Sequence, residues 1–171
     1  MKKRRLTSRD DAKALEHEIR CASECAFLSI RRITEESDGL GLLQAVKFEK
    51  IGRDPFDPKR PLNLIEQVNQ TFTALVSVQA ANYLFDHHPD AAPFFMNLGT
   101  ARGPDIVSED GSVVAEVFSA THPDSNDKKR KDIDRVSKEV DASHRYVFFH
   151  CPGDYACEIL RGVKVVPLGL K

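Results

Sequence analysis

An Asp110-Gly111 step separates two short apolar runs, Ile106-Val107 and Val113-Val114-Ala115. Asp-Gly between strand-forming residues is the strongest short hairpin signal, because glycine accepts the positive φ that a tight turn demands. With Asp110 and Gly111 as a two-residue turn, Glu109 pairs with Ser112, 108 with 113, 107 with 114, 106 with 115, and Asp105 with Glu116. Directly opposed residues of an antiparallel pair share a face, with Cβ atoms roughly 4.5–5.5 Å apart. The turn therefore predicts two carboxylates held side by side. Like charges that close repel, and a cation between them relieves the repulsion. The competing reading is a hairpin with two exposed acids screened by water.

A chain of 171 residues suffices for one domain with a substantial core. Its composition, 41% hydrophobic and 30% charged, is that of a soluble globular protein, and no apolar stretch approaches the length of a membrane span. Basic Met1-Lys2-Lys3-Arg4-Arg5 is followed by polar residues, so no secretory signal is expected. Four cysteines suit a reducing cytosol better than a disulfide scaffold. The expected location is cytoplasmic, with no membrane partner. A net charge of −1 leaves any nucleic-acid binding to local basic clusters.

Ser8 is placed to cap a helix in which Ala12, Leu15, Ile19, Ala22, Ala26, Ile30 and Ile33 recur at helical spacing. It is predicted to run to about Glu36 and stop near Asp38-Gly39. Val46 to Ile51 reads as a short strand, and 54–61, with Pro55, Pro58 and Pro61, as a loop. Asn63 and Glu66 have capping-box spacing. The broad apolar stripe from Leu64 to Leu84 predicts a central, largely buried helix ending near His88-Pro89. Strand-like runs follow at 94–98, 105–108 and 112–120. A third helix is predicted from Asp124 or Ser125 to about Ala142, then a buried strand from Tyr146 to His150 and two weaker strands at 156–160 and 163–166. The chain reads as a single domain over 1–171: a helical extension and loop (1–61), a core (62–151) and C-terminal strands (152–171). The 54–61 loop is the one expected internal break.

From residue 63 to 150 the order is helix, strand, strand, strand, helix, strand. The second strand begins with Pro104-Asp105, and the third carries Glu116-Val117-Phe118. This resembles the restriction-endonuclease-like (PD-(D/E)xK) superfamily, whose signature is Pro-Asp, a spacer, then Asp or Glu, any residue, and Lys. The similarity covers about half the chain. It implies an α/β fold with an αβββαβ core, a central mixed sheet flanked by helices, and here an extra N-terminal helix. It also implies Mg²⁺- or Mn²⁺-dependent hydrolysis of DNA phosphodiesters. By the resemblance, Asp105 and Glu116 are metal ligands, the Val117 main-chain carbonyl is a third, and Glu66 assists from the core helix. The local reading of Glu66 is an N-terminal capping carboxylate.

The chain departs from the family pattern at Phe118, which stands where the lysine belongs. Strand alternation puts Val114, Glu116 and Phe118 on one face, so Phe118 is expected to point into the site. An aromatic ring cannot position a water or stabilise a developing phosphate charge. Lys128 and Lys131 on the following helix are the candidate replacements. The implied function is a divergent Mg²⁺-dependent nuclease-fold protein that hydrolyses or binds DNA phosphodiesters. The alternative is a catalytically inactive nuclease-fold module that binds DNA or a protein partner.

Arg102, Lys128, Lys129, Arg130 and Lys131 are candidate phosphate contacts, each adding salt-dependent affinity without sequence information. Against that, Asp124, Asp127, Asp132 and Asp134 are interleaved with them, as on a solvated helix surface. Lys2 to Arg5 reads as a disordered basic tail or a flexible arm on nucleic acid. Cys21 and Cys25 share a helix face and read as core residues. His87-His88 caps the second helix, and His122 and His150 read as satisfied polar residues near strand ends. The long first helix is a candidate dimerisation element, which puts a homodimer among the expected partners.

Overall fold

A computed structural model describes residues 2–98 and 103–170. In chain order the elements are β1 Lys2–Leu6, α1 Arg9–Glu36, α2 Gly39–Phe48, β2 Gly52–Asp54, β3 Asp57–Leu62, α3 Leu64–His87, β4 Phe94–Leu98, β5 Ile106–Ser108, β6 Val113–Ser119, α4 Lys128–Val136, β7 His144–His150, β8 Glu158–Leu160 and β9 Val163–Pro167. They form two compact units, Met1–Lys13 with Leu75–Lys171, and Ala14–Ala74. The division runs through α1 and α3 rather than through the expected break at 54–61.

The first unit carries a seven-stranded mixed sheet in the order β1-β4-β5-β6-β7-β9-β8. The run from β1 to β6 is antiparallel, β7 is parallel to β6 and to β9, and β8 closes antiparallel on β9. Ile106 lies opposite Ala115 and Val107 opposite Val114, the register the Asp-Gly turn predicts. The loop is wider than expected. Gly111 N–H donates to the Ser108 carbonyl at 3.0 Å, and Gly111 has φ of +73° whereas Asp110 keeps a negative φ. The Asp110 carboxylate closes the loop by accepting from Ser108 Oγ at 2.6 Å, Ser112 Oγ at 2.8 Å and Ser112 N–H at 3.0 Å. Widening a hairpin loop by one residue on each side leaves the register unchanged, which is why the pairing survives.

β6 is buried along most of its length, as expected of a strand covered on both faces. Val114 and Phe118 pack with Val147, Phe149, Val163 and Val165 against Ile133 and Val136 of α4. On the opposite face, Tyr83 of α3 meets Tyr146 and Phe148 edge-on, at ring-centroid distances of 6.0 and 5.2 Å.

Several expectations are corrected. The basic N-terminal run is a strand, with Lys3 opposite Asn97 and Arg5 opposite Phe95. The open edge of β4 supplies the partner, and charged residues suit an edge strand because they discourage further pairing. Val46 to Phe48 is helical, because Asp38 caps α2 by accepting from Gly41 N–H at 2.7 Å. Residues 54–61 are largely a two-stranded ribbon, with Arg53 opposite Pro61; both strands are edges, where proline is tolerated. The third helix is shorter than predicted, because a 3₁₀ turn over Ser125–Asp127 precedes α4 and the helix ends at Val136. Cys21 and Cys25 are exposed rather than core residues.

In the second unit, the buried Gln67 donates from Nε2 to the Ala22 carbonyl at 3.1 Å and accepts from Arg53 N–H at 2.8 Å. A Cβ at position 52 would stand 2.4 Å from Gln67 Oε1 and 3.2 Å from the Leu62 carbonyl, so a larger residue there would displace the Gln67 side chain from these bonds. The capping box at 63–66 is reciprocal: Glu66 N–H donates to Asn63 Oδ1 at 2.8 Å, and Asn63 N–H donates to Glu66 Oε2 at 3.4 Å. Asn63→Ala is expected to lower stability by about 1 kcal/mol, seen as a lower urea midpoint with an unchanged slope.

Candidate functional site

Asp105 precedes β5 by one residue, where Asn97 N–H donates to its carbonyl at 2.7 Å. Its Oδ2 accepts from Val117 N–H at 2.8 Å, which aims the carboxyl across the end of the β5–β6 ladder. Glu116, in the middle of β6, is only 1% exposed. The Val117 N–H bond sets Asp105 beside the strand position next to Glu116, and each carboxyl shifts the pKa of the other. The hairpin register therefore delivers the expected juxtaposition.

The third contributor comes from α4. Arg135 Nη1 donates to Glu116 Oε2 at 2.7 Å and lies 3.6 Å from Asp132 Oδ1. Asp132, fully buried, accepts from Lys128 Nζ at 2.8 Å. Positions 128, 132 and 135 are spaced i, i+4, i+7, so one face of the helix presents all three toward the sheet. Two buried carboxylate oxygens, Glu116 Oε1 and Asp132 Oδ2, have no hydrogen-bond donor.

Three acids and two cations share a largely buried cluster, so full ionisation of all three acids would leave one negative charge uncompensated. Burial raises the Glu116 pKa to about 8; the Asp105 charge pushes the same way, and Arg135 opposes both. Burial also raises Asp105, against the Val117 N–H bond that favours its ionised form. Asp132 is raised by burial against Lys128. These are shifts of the kind found where chemistry needs a retained proton or a bound cation.

Phe118 lies on the Glu116 face of β6 but not in the site. It is 3% exposed and stacks on Phe149, with centroids 5.5 Å apart and planes 14° from parallel. Position 118 is thus part of an apolar core, and the cations beside the acids are Arg135 and Lys128 of α4. Of the two lysines the sequence offered, Lys128 joins the cluster through Asp132, and its charge favours ionised Asp105, whereas Lys131 Nζ donates to the Asn126 carbonyl at 2.9 Å; Arg135 was not foreseen. The missed signal was the helical spacing of Lys128, Asp132 and Arg135.

The candidate phosphate contacts fare unevenly. Arg102 lies outside the described residues. Lys128 pairs with Asp132, Lys129 with Glu158, and Arg130 with Asp127, so each of these cations already has a carboxylate. Glu66 serves the capping box described above. His88 Nε2 is 2.6 Å from the Tyr146 hydroxyl, and His150 Nδ1 donates to the Leu168 carbonyl at 2.8 Å; both are satisfied polar residues. Among the described residues, no group of three or more His, Cys, Asp or Glu side chains is arranged to hold a metal ion. No helix among them is long and apolar enough to cross a membrane. Comparison with protein-family models, with curated proteins and with solved structures gives no match.

Proposed function

We propose that Asp105, Glu116 and Arg135 form the centre of a divergent nuclease-fold protein that acts on DNA phosphodiesters with Mg²⁺ or Mn²⁺. The observation that carries this reading is the donor-less oxygen of buried Glu116 beside Asp105. Hard oxygen donors suit a divalent cation, which would displace the proton that Glu116 otherwise keeps. Asp105, Glu116 and the Val117 carbonyl would hold it, and the bound ion would supply Lewis-acid polarisation of a phosphate and a more acidic water. Arg135 supports the reading from a second direction. Its side chain is 54% exposed, so its planar fork can pair with Glu116 and still offer donors to a phosphate oxygen. Asp132 orients both Lys128 and Arg135, and the Phe118–Phe149 stack keeps water out beneath the acids.

The test is calorimetric titration with Mn²⁺, followed by plasmid nicking. Wild type is expected to bind the ion, and Asp105→Ala and Glu116→Ala to lose it. Arg135→Ala is expected to retain binding but to nick about 10²–10³-fold more slowly, the usual cost of one transition-state donor. The reading fails if wild type takes up no Mn²⁺, or if all the proteins nick equally. One observation favours the inactive-module alternative: Arg135 already neutralises Glu116 internally. That alternative predicts DNA or protein binding in EDTA with no nicking under any metal.

A further inference from the structure

The uncovered apolar surface of this protein is concentrated in the 14–74 unit. Among the described residues, eight of the eleven exposed large hydrophobic side chains lie there. Six of them make two distinct features. The first is a groove of about 220 Å³ between α1 and the first half of α3, whose walls include Ala26, Phe27, Ile30, Val68 and Phe72 and no charged residue. The second is α2, whose Leu40, Leu43 and Phe48 are 65–70% exposed. At 100° per residue these three fall within an arc of about 140°, a single apolar face.

The amount of surface bears on the occupant. With roughly 200 Å² per large side chain, the six residues of the two features, exposed by 45–70%, present on the order of 700 Å². A two-fold contact buries both features of each chain, which approaches the roughly 800 Å² that one partner contributes to a standard stable interface. The chemistry decides the occupant. A groove without charge selects neither phosphate nor a charged peptide. It fits an apolar helix face with anchors near i, i+3 and i+7 or i+8, and this chain carries one in α2.

We propose that two copies of this chain associate about a two-fold axis, each inserting the Leu40–Leu43–Phe48 face of α2 into the α1–α3 groove of the other. The contact is self-complementary, so it closes at two chains. It does not depend on the acid cluster, and Asp105→Ala leaves it intact.

The experiment is light scattering coupled to size-exclusion chromatography on the full chain. At about 10 µM, a complex with a Kd near 1 µM is mostly dimeric. Wild type is expected at twice its 19.2 kDa mass. Leu43→Glu and Phe72→Glu are each expected to run as folded monomers, because both side chains are exposed and neither substitution opens a core cavity. Mixed one to one, the two variants are expected to re-form a dimer. The Phe72→Glu chain brings an intact α2 and the Leu43→Glu chain an intact groove, so one of the two contacts is restored, with about tenfold weaker affinity than wild type, and the mixture is therefore run at about 200 µM total, where such a complex is mostly dimeric. If a glutamate variant loses its helical circular dichroism, Leu43→Gln and Phe72→Gln take its place. A monomeric wild type overturns the proposal, whether or not it adsorbs to lipid vesicles. So does a dimer that both variants leave intact, or a mixture that stays monomeric.

Discussion

Phe118→Ala is expected to remove about 3–5 kcal/mol of folding stability, the cost of emptying a well-packed aromatic site. The ring is 3% exposed, stacks on Phe149, and shares a cluster with Ile133 and Val136 of α4. Collapse cannot fill the void, because position 118 is locked in the parallel ladder opposite Phe149. For a chain of this size the loss corresponds to a Tm lower by about 6–20 °C. Phe118→Lys gives the sharper test. It introduces the lysine of the signature that the sequence resembles, yet here it buries an ammonium among the aromatic and aliphatic side chains around Phe149, a costly state. Its expected outcome is destabilisation at least as large as that of alanine, with no gain in plasmid nicking. A Phe118→Lys protein as stable as wild type, or one that nicks faster, would show that position 118 faces the acids after all.

That prediction also marks how far the sequence could be read. Local chemistry was legible. Asp110-Gly111 set the hairpin register although the loop proved wider, and the register placed Asp105 beside Glu116. Asn63 with Glu66, and Ser8, announced helix starts that the structure bears out. The order from α3 to β7 was equally readable from periodicity, whereas the mixed sheet was implied only by the resemblance. Features that depend on distant partners were not. Lys2–Leu6 becomes a strand only because β4, about ninety residues later, offers an edge. Alternation placed Phe118 on the correct face, but the depth of that position depends on where α4 crosses the sheet. The same crossing brings Arg135, nineteen residues from Glu116, to its carboxylate. The helical spacing of Lys128, Asp132 and Arg135 could have grouped them, yet nothing in that spacing says which acids they would meet.

The pH dependence of stability tests the acid cluster without assuming any reaction. In EDTA, wild-type stability is expected to fall as pH rises from about 4.5 to about 8, the interval between the ordinary and folded pKa values of Glu116. In that window the folded chain keeps a proton that the unfolded chain releases, so raising the pH favours unfolding, by at most about 1.4 kcal/mol per pH unit for one group. Asp105 and Asp132, also raised by burial, add in the same direction. Asp11 and Asp110 are lowered, so their stabilisation is complete above the ordinary carboxylate range and does not oppose the fall. His88 is lowered by burial and works the other way, gaining stability as pH rises through its ordinary value of 6.5. Glu116→Gln separates these effects. The amide oxygen still accepts from Arg135, His88 is untouched, and the titrating group is gone. The variant is expected to show a flatter profile than wild type and to be the more stable protein at pH 8 and above. Mn²⁺ at that pH is expected to raise the wild-type Tm and leave that of Glu116→Gln unchanged. Parallel profiles for the two proteins between pH 4.5 and 8 would mean that Glu116 is ionised throughout, and that Arg135 alone satisfies it.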